Sequence, residues 1–162
     1  MNNAALDLEA RLNGEDHLSL RLWLRLLSCT NLIEGRARAR LRDEFATTLA
    51  RFDLMAQLER TPEGLKMSEL SRRLMVTGGN VTRLTDQLES EGLVVRGGSS
   101  DRRVYRVSLT PRGRRTFAAM ARRHEEWIVE MFGALTHEER TQLFTLLAKL
   151  KRTQSPGAGG EA

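Results

Sequence analysis

Residues 67–113 have the sequence MSELSRRLMVTGGNVTRLTDQLESEGLVVRGGSSDRRVYRVSLTPRG. Apolar residues in its first half recur at helical spacing and predict two helices joined by a short turn. The first helix is expected to begin at Ser68 and end near Leu74, and the second to begin after Thr77 and end at Gly92. Hydroxyl side chains at Ser68 and Thr77 suit the cap position, where an oxygen accepts a bond from an early helical N–H group.

The second half of this stretch alternates apolar and polar residues on both sides of a glycine-rich turn. This period of two predicts a β-hairpin over residues 93–109. Thr110-Pro111 then predicts the start of a long helix, because proline suits the first helical turn. The order helix, helix, turn, helix, hairpin is that of a helix-turn-helix followed by a β wing.

Long amphipathic helices are predicted on both sides of this motif. Apolar residues recur every three to four positions over residues 17–42, and a second helix fits residues 49–60 behind Thr48 as its cap. Thr136 and Glu139 form a capping box before a last helix with an inward stripe of leucines. We expect a mainly α fold with a small β-hairpin wing. Its segments would be a dimerisation helix within residues 1–47, the winged lobe in 48–110, further dimerisation helices in 111–152 and a disordered tail in 153–162.

The charge is uneven along the chain of 162 residues. Lys and Arg exceed Asp and Glu by 26 to 21, a net charge of +5. Residues 68–115 contain 10 basic and 5 acidic residues, so the rest of the chain is balanced at 16 and 16. A clustered positive field attracts a polyanion. The predicted partner is double-stranded DNA.

Several other functional classes are disfavoured. No apolar run reaches the roughly 18 to 20 residues of a membrane span, and the acidic start does not resemble a signal peptide, so we expect a cytoplasmic protein without a membrane partner. A single cysteine, Cys29, excludes an intramolecular disulfide and a cysteine-rich zinc site, so neither metal nor cofactor is expected. His17, His124 and His137 lack a metal-binding or nucleophile motif around them, which argues against an enzyme.

The second helix of a helix-turn-helix enters the major groove with its first turns facing base edges. Asn80 can form a bidentate pair with adenine and Arg83 one with guanine, although a solvated helix face is the alternative. Gly78 and Gly79 weaken a helix by roughly 1 kcal/mol each relative to alanine, which indicates either close backbone approach to a phosphate or a frayed first turn. The candidate DNA-binding residues of the two helices are Ser68, Thr77, Gly78, Gly79, Asn80, Thr82, Arg83 and Gln87.

The predicted wing carries arginines around one acid. Arg96, Arg102, Arg103 and Arg106 surround Asp101. The candidate DNA-binding residues of the wing are Arg96, Asp101, Arg102 and Arg103. Asp101 can form a salt bridge with Arg103 and present its guanidinium to a narrow minor groove, where arginine is favoured. The alternative is an ordinary surface pair that contributes under about 1 kcal/mol.

These residues resemble the MarR family of bacterial transcriptional regulators. The resemblance covers about residues 17–151 and is most specific in Asp101-Arg102-Arg103 and in the later Leu109-Thr110 followed by Gly113. It implies a six-helix, winged helix-turn-helix homodimer that binds a pseudo-palindromic operator, generally as a repressor. It also implies that Asp101 orients Arg103 and that the helix after Thr77 is the recognition helix. The two glycines after Thr77 depart from the Ser or Pro often found there.

The same resemblance implies a small-molecule effector, since members commonly release DNA when an aromatic acid, a phenolic compound or an oxidant acts on them. Each pocket candidate is equally a packing residue on an amphipathic stripe. The candidates are Trp23, Leu27, Thr30, Asn31, Phe52, Met55, His124 and Trp127.

Two further features leave alternatives open. Arg36, Arg38 and Arg40 follow one another on the first helix, either as a solvated face or as a site for carboxylate or phosphate groups. The chain is similar to the branch that controls hydroxycinnamate and aromatic catabolism, where some members sense acyl-CoA thioesters. Cys29 is expected to be a buried, inert residue rather than a redox sensor. An architectural DNA binder without sequence preference is the remaining alternative.

Overall fold

The computed structural model describes residues 17–98 and 105–154. Helices and a small antiparallel sheet make up these ranges, so the predicted mainly α fold with a β wing is confirmed. The helices are α1 (Leu18–Phe45), α2 (Leu49–Glu59), α3 (Met67–Leu74), α4 (Gly78–Ser90), α5 (Pro111–Met131) and α6 (His137–Gln154). The strands are β1 (Leu65–Lys66), β2 (Val94–Gly98) and β3 (Tyr105–Leu109).

Helix α1 is long, as its apolar spacing predicts, and it ends where Ala46 adopts a left-handed conformation. The amide of Ala46 donates to the carbonyl of Arg42 at 3.0 Å and closes the last turn. Only the C-terminal part of the apolar stripe is buried, through Ala37 and Leu41. Trp23, near the other end, is 58% exposed. The first turns of α1 therefore present an uncovered apolar surface in the single chain.

The core of the lobe is formed by α2, α3, α4 and the sheet. Thr48 caps α2 as predicted, because its Oγ1 accepts a bond from the amide of Arg51 at 3.3 Å. Helical spacing predicts an inner face of Phe52, Met55 and Leu58 on α2 and of Val81, Leu84 and Leu88 on α4, and all six are buried. Thr85 joins them by donating its hydroxyl to the carbonyl of Val81 at 2.8 Å. The buried residues of these two helices are Phe52, Leu54, Met55, Leu58, Val81, Leu84, Thr85 and Leu88.

Two capping predictions for the helix-turn-helix are wrong in detail. Helix α3 begins at Met67, and the position before it is Lys66 rather than Ser68. The amide of Lys66 donates to the carboxylate of Glu69 at 3.4 Å, because the chain passes from β1 straight into the helix and Ser68 is already in its first turn. Thr77 does occupy the position before α4, but its hydroxyl makes no capping hydrogen bond within the described residues.

The sheet contains one strand that the sequence pattern did not reveal. Strands β2 and β3 pair antiparallel, as the hairpin prediction requires, with Arg96 opposite Val107. Strand β1 pairs with the other side of β3 through Leu65 opposite Val107. Two residues are too few to show an alternating pattern, so β1 was missed. Residues 99–104, between β2 and β3, lie outside the described ranges.

The start of α5 explains the motif Leu109-Thr110 followed by Gly113. The Thr110 hydroxyl donates to the carbonyl of Gly92 at 2.7 Å and accepts a bond from the amide of Gly113 at 2.9 Å. A Cβ atom placed on Gly113 would lie 1.9 Å from the carbonyl oxygen of Leu93. Only glycine allows the helix to approach the end of α4 this closely.

The chain divides into two compact units between Glu125 and Glu126. In the second unit, the predicted capping box of α6 is confirmed, since the amide of Thr136 donates to Glu139 at 2.8 Å and the amide of Glu139 to Thr136 Oγ1 at 3.2 Å. The leucine stripe of α6 was expected to face inward, but no residue of this helix is buried and Phe144 is 76% exposed. The helix also continues to Gln154, past the expected start of the tail at 153.

Within the described ranges, no helix is long and apolar enough to cross a membrane.

Candidate nucleic-acid interface

The turn between α3 and α4 is fixed by hydrogen bonds within the chain. Met75 has φ of 53°, and its amide donates to the carbonyl of Arg72 at 3.3 Å. The hydroxyl of Ser71 donates to the carbonyl of Val76 at 2.6 Å. These bonds satisfy the free carbonyl and amide groups of the turn. The turn thus holds α4 at a defined angle to α3.

Helix α4 has one buried and one solvent-exposed side. Val81, Leu84 and Leu88 face the core, and the opposite side carries glycine, polar and charged residues. This opposite side includes the predicted DNA contacts Thr82, Arg83 and Gln87 together with Asp86, whereas Asn80 is only partly exposed. We define the outer face of α4 as Gly78, Gly79, Thr82, Arg83, Asp86, Gln87 and Ser90, all of which are exposed.

The two glycines at the start of α4 are not required by packing against any of the residues that the structure describes. A Cβ atom at Gly78 or Gly79 would have no neighbour within 4 Å. Neither residue has the positive φ that favours glycine, whereas Gly64 and Gly92 do. Thr82 Oγ1 donates to the carbonyl of Gly78 at 3.0 Å. The open space beside the glycines is available to another molecule.

Asn80 and Arg83, expected to contact bases separately, are hydrogen-bonded to each other. Arg83 Nη2 donates to Asn80 Oδ1 at 3.0 Å. Both residues line a groove that also includes Arg51, Gln87 and other residues between α2 and α4. A bidentate contact from Asn80 to adenine uses its amide oxygen, so this bond must break or be shared when a base is contacted.

Arg96 was expected to contact DNA, yet its guanidinium is hydrogen-bonded to Asp86 and Glu89 of α4. The Arg96 amide also donates to Glu89 Oε1 at 3.2 Å. The hydrogen bond with Asp86 and the negative charges of both acids raise the pKa of Arg96 above its ordinary value, although partial burial opposes them. The sequence did not reveal these partners because they lie on a separate helix.

Other arginines of the basic segment also have partners inside the chain. Arg106 donates to the carbonyl of Gly64 at 2.9 Å, Arg112 to that of Glu91 at 3.0 Å, and Arg73 to Thr61 Oγ1 at 3.3 Å. Part of the positive charge of residues 68–115 therefore stabilises the lobe. The predicted wing residues Asp101, Arg102 and Arg103 lie outside the described residues.

The predicted effector residues are distributed over several surfaces. Besides the groove between α2 and α4, the first compact unit contains the α1–α2 cleft, of about 470 Å³, which includes Arg38. It also contains the α2–α5 cleft, of about 530 Å³, which includes Phe52 and His124. Exposed members of the predicted set are Trp23, Thr30, Asn31, Arg36 and Arg38; partly buried ones are Leu27, Arg40 and His124; buried ones are Phe52, Met55 and Trp127.

A titratable pair, Asp53 and His124, lines the α2–α5 cleft, and Asp53 also lines the α1–α2 cleft. The His124 ring centroid is 4.8 Å from that of Phe52. Burial lowers the pKa of His124, and the negative charge of Asp53 partly opposes this shift. The pKa of Asp53 is raised by burial and by the nearby charge of Glu34, while His124 opposes the rise. Both groups are therefore shifted toward their neutral forms.

Cys29 is exposed on α1, so the expectation of a buried cysteine is wrong for the single chain. Its helix is long, and the turns around it extend beyond the residues that pack against α2.

Comparisons with known proteins show which family shares this architecture. Residues 47–105 match the model of the MarR family. An uncharacterised HTH-type transcriptional regulator of Bacillus cereus (strain ATCC 10987) is 32% identical over 135 residues, which cover 81% of this chain and 87% of the relative. Among solved structures, a MarR family transcriptional regulator from Silicibacter pomeroyi superposes with a TM-score of 0.74 at 31% identity, covering 89% of this chain and 100% of that one.

A further structure, Sco3205 of Streptomyces coelicolor, a MarR family transcriptional regulator in complex with DNA, has the same fold. Its TM-score is 0.72 at 22% identity, and the match covers 90% of this chain and 91% of that one. The chain therefore belongs to the MarR family of helix-turn-helix transcriptional regulators, which are DNA-binding proteins rather than enzymes.

Proposed function

We propose that this chain is a homodimeric repressor that binds a pseudo-palindromic operator through the outer face of α4 and releases it when a small aromatic acid binds. The observation that carries the DNA-contact assignment is the start of α4, where two glycines leave open space beside exposed Thr82 and Arg83. A phosphate or base edge can approach such a surface closely. Gly78 and Gly79 occupy the first two helical positions, where amides have no partner within the helix and suit an anion.

Selection of duplexes from a random-sequence library by the wild-type protein, followed by footprinting, tests this proposal. We expect two half-sites about one helical turn apart. Arg83→Ala should weaken binding to the selected duplex by about 1 to 3 kcal/mol and relax the preference at one base pair. If selected and random duplexes bound equally at one fixed salt concentration, the protein would be an architectural binder, and the proposed function would be wrong.

The homodimer is supported by the uncovered apolar surfaces of the long helices. Leu18, Leu22 and Trp23 are exposed on α1, and Phe144 and Leu146 are exposed on α6. Apolar area contributes about 25 cal/mol per Å² when it is removed from water, so surfaces of this kind favour association. A two-fold dimer uses the same surface on both chains, which matches a palindromic operator. Sedimentation equilibrium should give twice the chain mass.

An aromatic acid suits the α2–α5 cleft better than an acyl-CoA suits the α1–α2 cleft. The α2–α5 cleft combines the rings of Phe52 and His124 with Arg60 and Arg73, which can pair with a carboxylate. Asp53 lines both clefts, and Arg73 lies 3.8 Å from Glu69 just as Arg38 lies 3.8 Å from Glu34. The α1–α2 cleft differs in that Glu34 itself also lines it, beside Arg38. The carboxylates of Glu34 and Asp53 together oppose the binding of several phosphate groups there.

The α2–α5 cleft also includes Leu74 and Met75, the residues that lead into α4. A ligand there can shift the angle of the helix-turn-helix, which gives a route from effector to operator release. Calorimetry with 4-hydroxycinnamate and its CoA ester should show binding of the free acid, and Arg60→Gln should weaken it. Absence of heat at concentrations that release the operator would exclude this cleft.

A redox-sensing regulator is the second candidate, and the exposure of Cys29 is the observation that favours it. An exposed thiol is accessible to peroxide, whereas a buried one is not. Operator release by peroxide in the wild type but not in Cys29→Ser would establish it. Equal release from both proteins would exclude it.

A further inference from the structure

An acid lies in the middle of the outer face of α4. Asp86 is one helical turn beyond Thr82 and Arg83, on the side opposite the core, and its side chain is 56% exposed. Glu89 follows three residues later with a partly exposed side chain. Carboxylates on a surface that approaches phosphates repel them, so this face needs a compensating charge.

Arg96 provides that charge from β2. Its Nη2 donates to Asp86 and its Nη1 to Glu89, so one planar guanidinium joins both carboxylates. The Arg96 amide donates to Glu89 Oε1 at 3.2 Å, which fixes the strand backbone to the helix as well. The Arg96 side chain is 28% exposed, far less than that of Asp86. This arrangement directs the arginine toward the helix rather than outward.

We propose that Arg96 is a positioning residue rather than a DNA contact: it neutralises Asp86 and Glu89 beside the DNA and fastens the first strand of the wing to the recognition helix. The inference rests on the proposed function, because it takes the outer face of α4 as the DNA contact. The clustering of basic residues in the sequence implies that Arg96 contacts DNA, and the proposal replaces this role with a positioning role. Its positive charge acts by cancelling two negative charges within the chain.

The two roles predict different behaviour when the acids are removed. If Arg96 neutralises Asp86 and Glu89, the loss of affinity in Arg96→Gln depends on these acids and disappears when they are neutral. If Arg96 binds a phosphate directly, the same loss persists without them. A double-mutant cycle separates the two cases, because it measures how far one change depends on the other.

The cycle uses the full chain and compares wild type, R96Q, the double variant D86N/E89Q and the triple variant D86N/E89Q/R96Q. Affinities for a random-sequence duplex and for the duplex selected by wild type are measured at one salt concentration. We expect R96Q to weaken both by about tenfold and the triple variant to return to within about threefold of wild type. A triple variant as weak as R96Q would overturn the proposal, and so would an R96Q with wild-type affinity.

A matched control removes two acids elsewhere. Glu59 and Glu63 are exposed at the end of α2 and in the turn that follows. The variant E59Q/E63Q/R96Q has the same net charge as the triple variant, so it should remain close to R96Q in affinity. Equal recovery in both would show that net charge alone explains the rescue, which contradicts the proposal.

Two measurements separate this inference from folding defects and from failure of the proposed function. R96K keeps the charge but cannot join two carboxylates with a planar fork, so its affinity should lie between those of wild type and R96Q. Denaturant unfolding of the four cycle proteins without DNA should show that the effects of R96Q and D86N/E89Q are not additive. Additive effects would contradict the contact between Arg96 and the two acids, whether or not the protein binds DNA. Failure to bind any selected duplex would instead refute the proposed operator binding.

Discussion

The helix-turn-helix lobe and the long terminal helices differ in how much of their apolar surface a single chain covers. In the lobe, Leu54, Leu70 and Leu88 are fully buried. On α6 no side chain is buried, and the first turns of α1 expose leucine and tryptophan. The lobe is thus complete in one chain, whereas the terminal helices have apolar surface left to cover. Changes in the lobe should affect folding, and changes on α6 should affect association.

The largest effect is expected at Gly113, where the lobe tolerates no side chain. Gly113→Ala would place a Cβ atom 1.9 Å from the Leu93 carbonyl oxygen, so α5 must move away from the end of α4. We expect a loss of about 3 kcal/mol or more in the free energy of unfolding, measured by denaturant titration. Gly35→Ala in α1 is the control, since its Cβ would meet nothing within 4 Å. It should be neutral or gain up to about 1 kcal/mol. Equal stability of the two variants would contradict the close contact.

The next prediction concerns the association of two chains rather than the folding of one chain. Phe144→Glu puts a charge at the most exposed large apolar residue of α6, so we expect the dissociation constant of the proposed dimer to rise about a hundredfold, or roughly 3 kcal/mol. Thr145→Glu adds the same charge at the neighbouring exposed position and should change it much less. Sedimentation equilibrium measures both constants. Unaltered association in Phe144→Glu would show that α6 does not form the dimer surface.

A smaller effect is expected at Gly79, where the outer face of α4 is open. Gly79→Ala improves helix propensity, so the free energy of unfolding should rise by up to about 1 kcal/mol. The added methyl group meets no atom of the described residues but would lie on the face that we propose contacts DNA. Operator affinity should therefore fall by about tenfold, measured by fluorescence anisotropy. A variant that is more stable and binds equally well would identify the glycine as a tolerated weakness rather than a functional feature.

The same contrast shows what the sequence could and could not predict. The buried positions of α2 and α4 follow from helical spacing, because each helix determines locally which residues share a face. The leucine stripe of α6 has the same spacing, yet Leu146 and Leu150 are exposed, since spacing gives the face but not what covers it. The partners of Arg96 depend on how β2 packs against α4. That contact joins residues of separate elements and leaves no periodic signal.

The smallest expected effect concerns His124, at the α2–α5 cleft of the lobe. Burial lowers its pKa from the ordinary value near 6.5, so the folded chain favours the neutral ring. Its contribution to stability is present above about pH 6.5 and is lost as the pH falls through the lowered pKa of the folded state. In denaturant titrations from about pH 7.5 down to about pH 5, wild type should lose more free energy of unfolding than His124→Gln.

Asp53 also makes the free energy of unfolding depend on pH, but its charged form is negative and it acts over a different pH range. Its pKa is raised from 3.8, so the folded chain favours the neutral carboxyl, and this contribution is present at low pH and lost as the pH rises through the folded value. Asp53→Asn therefore serves as the companion variant, because it removes the carboxylate that partly holds the proton on His124. As the pH falls, the loss of stability caused by His124 should then continue to a lower pH in Asp53→Asn than in wild type. Identical pH profiles for wild type and His124→Gln would show that this histidine is as well solvated in the folded chain as in the unfolded one.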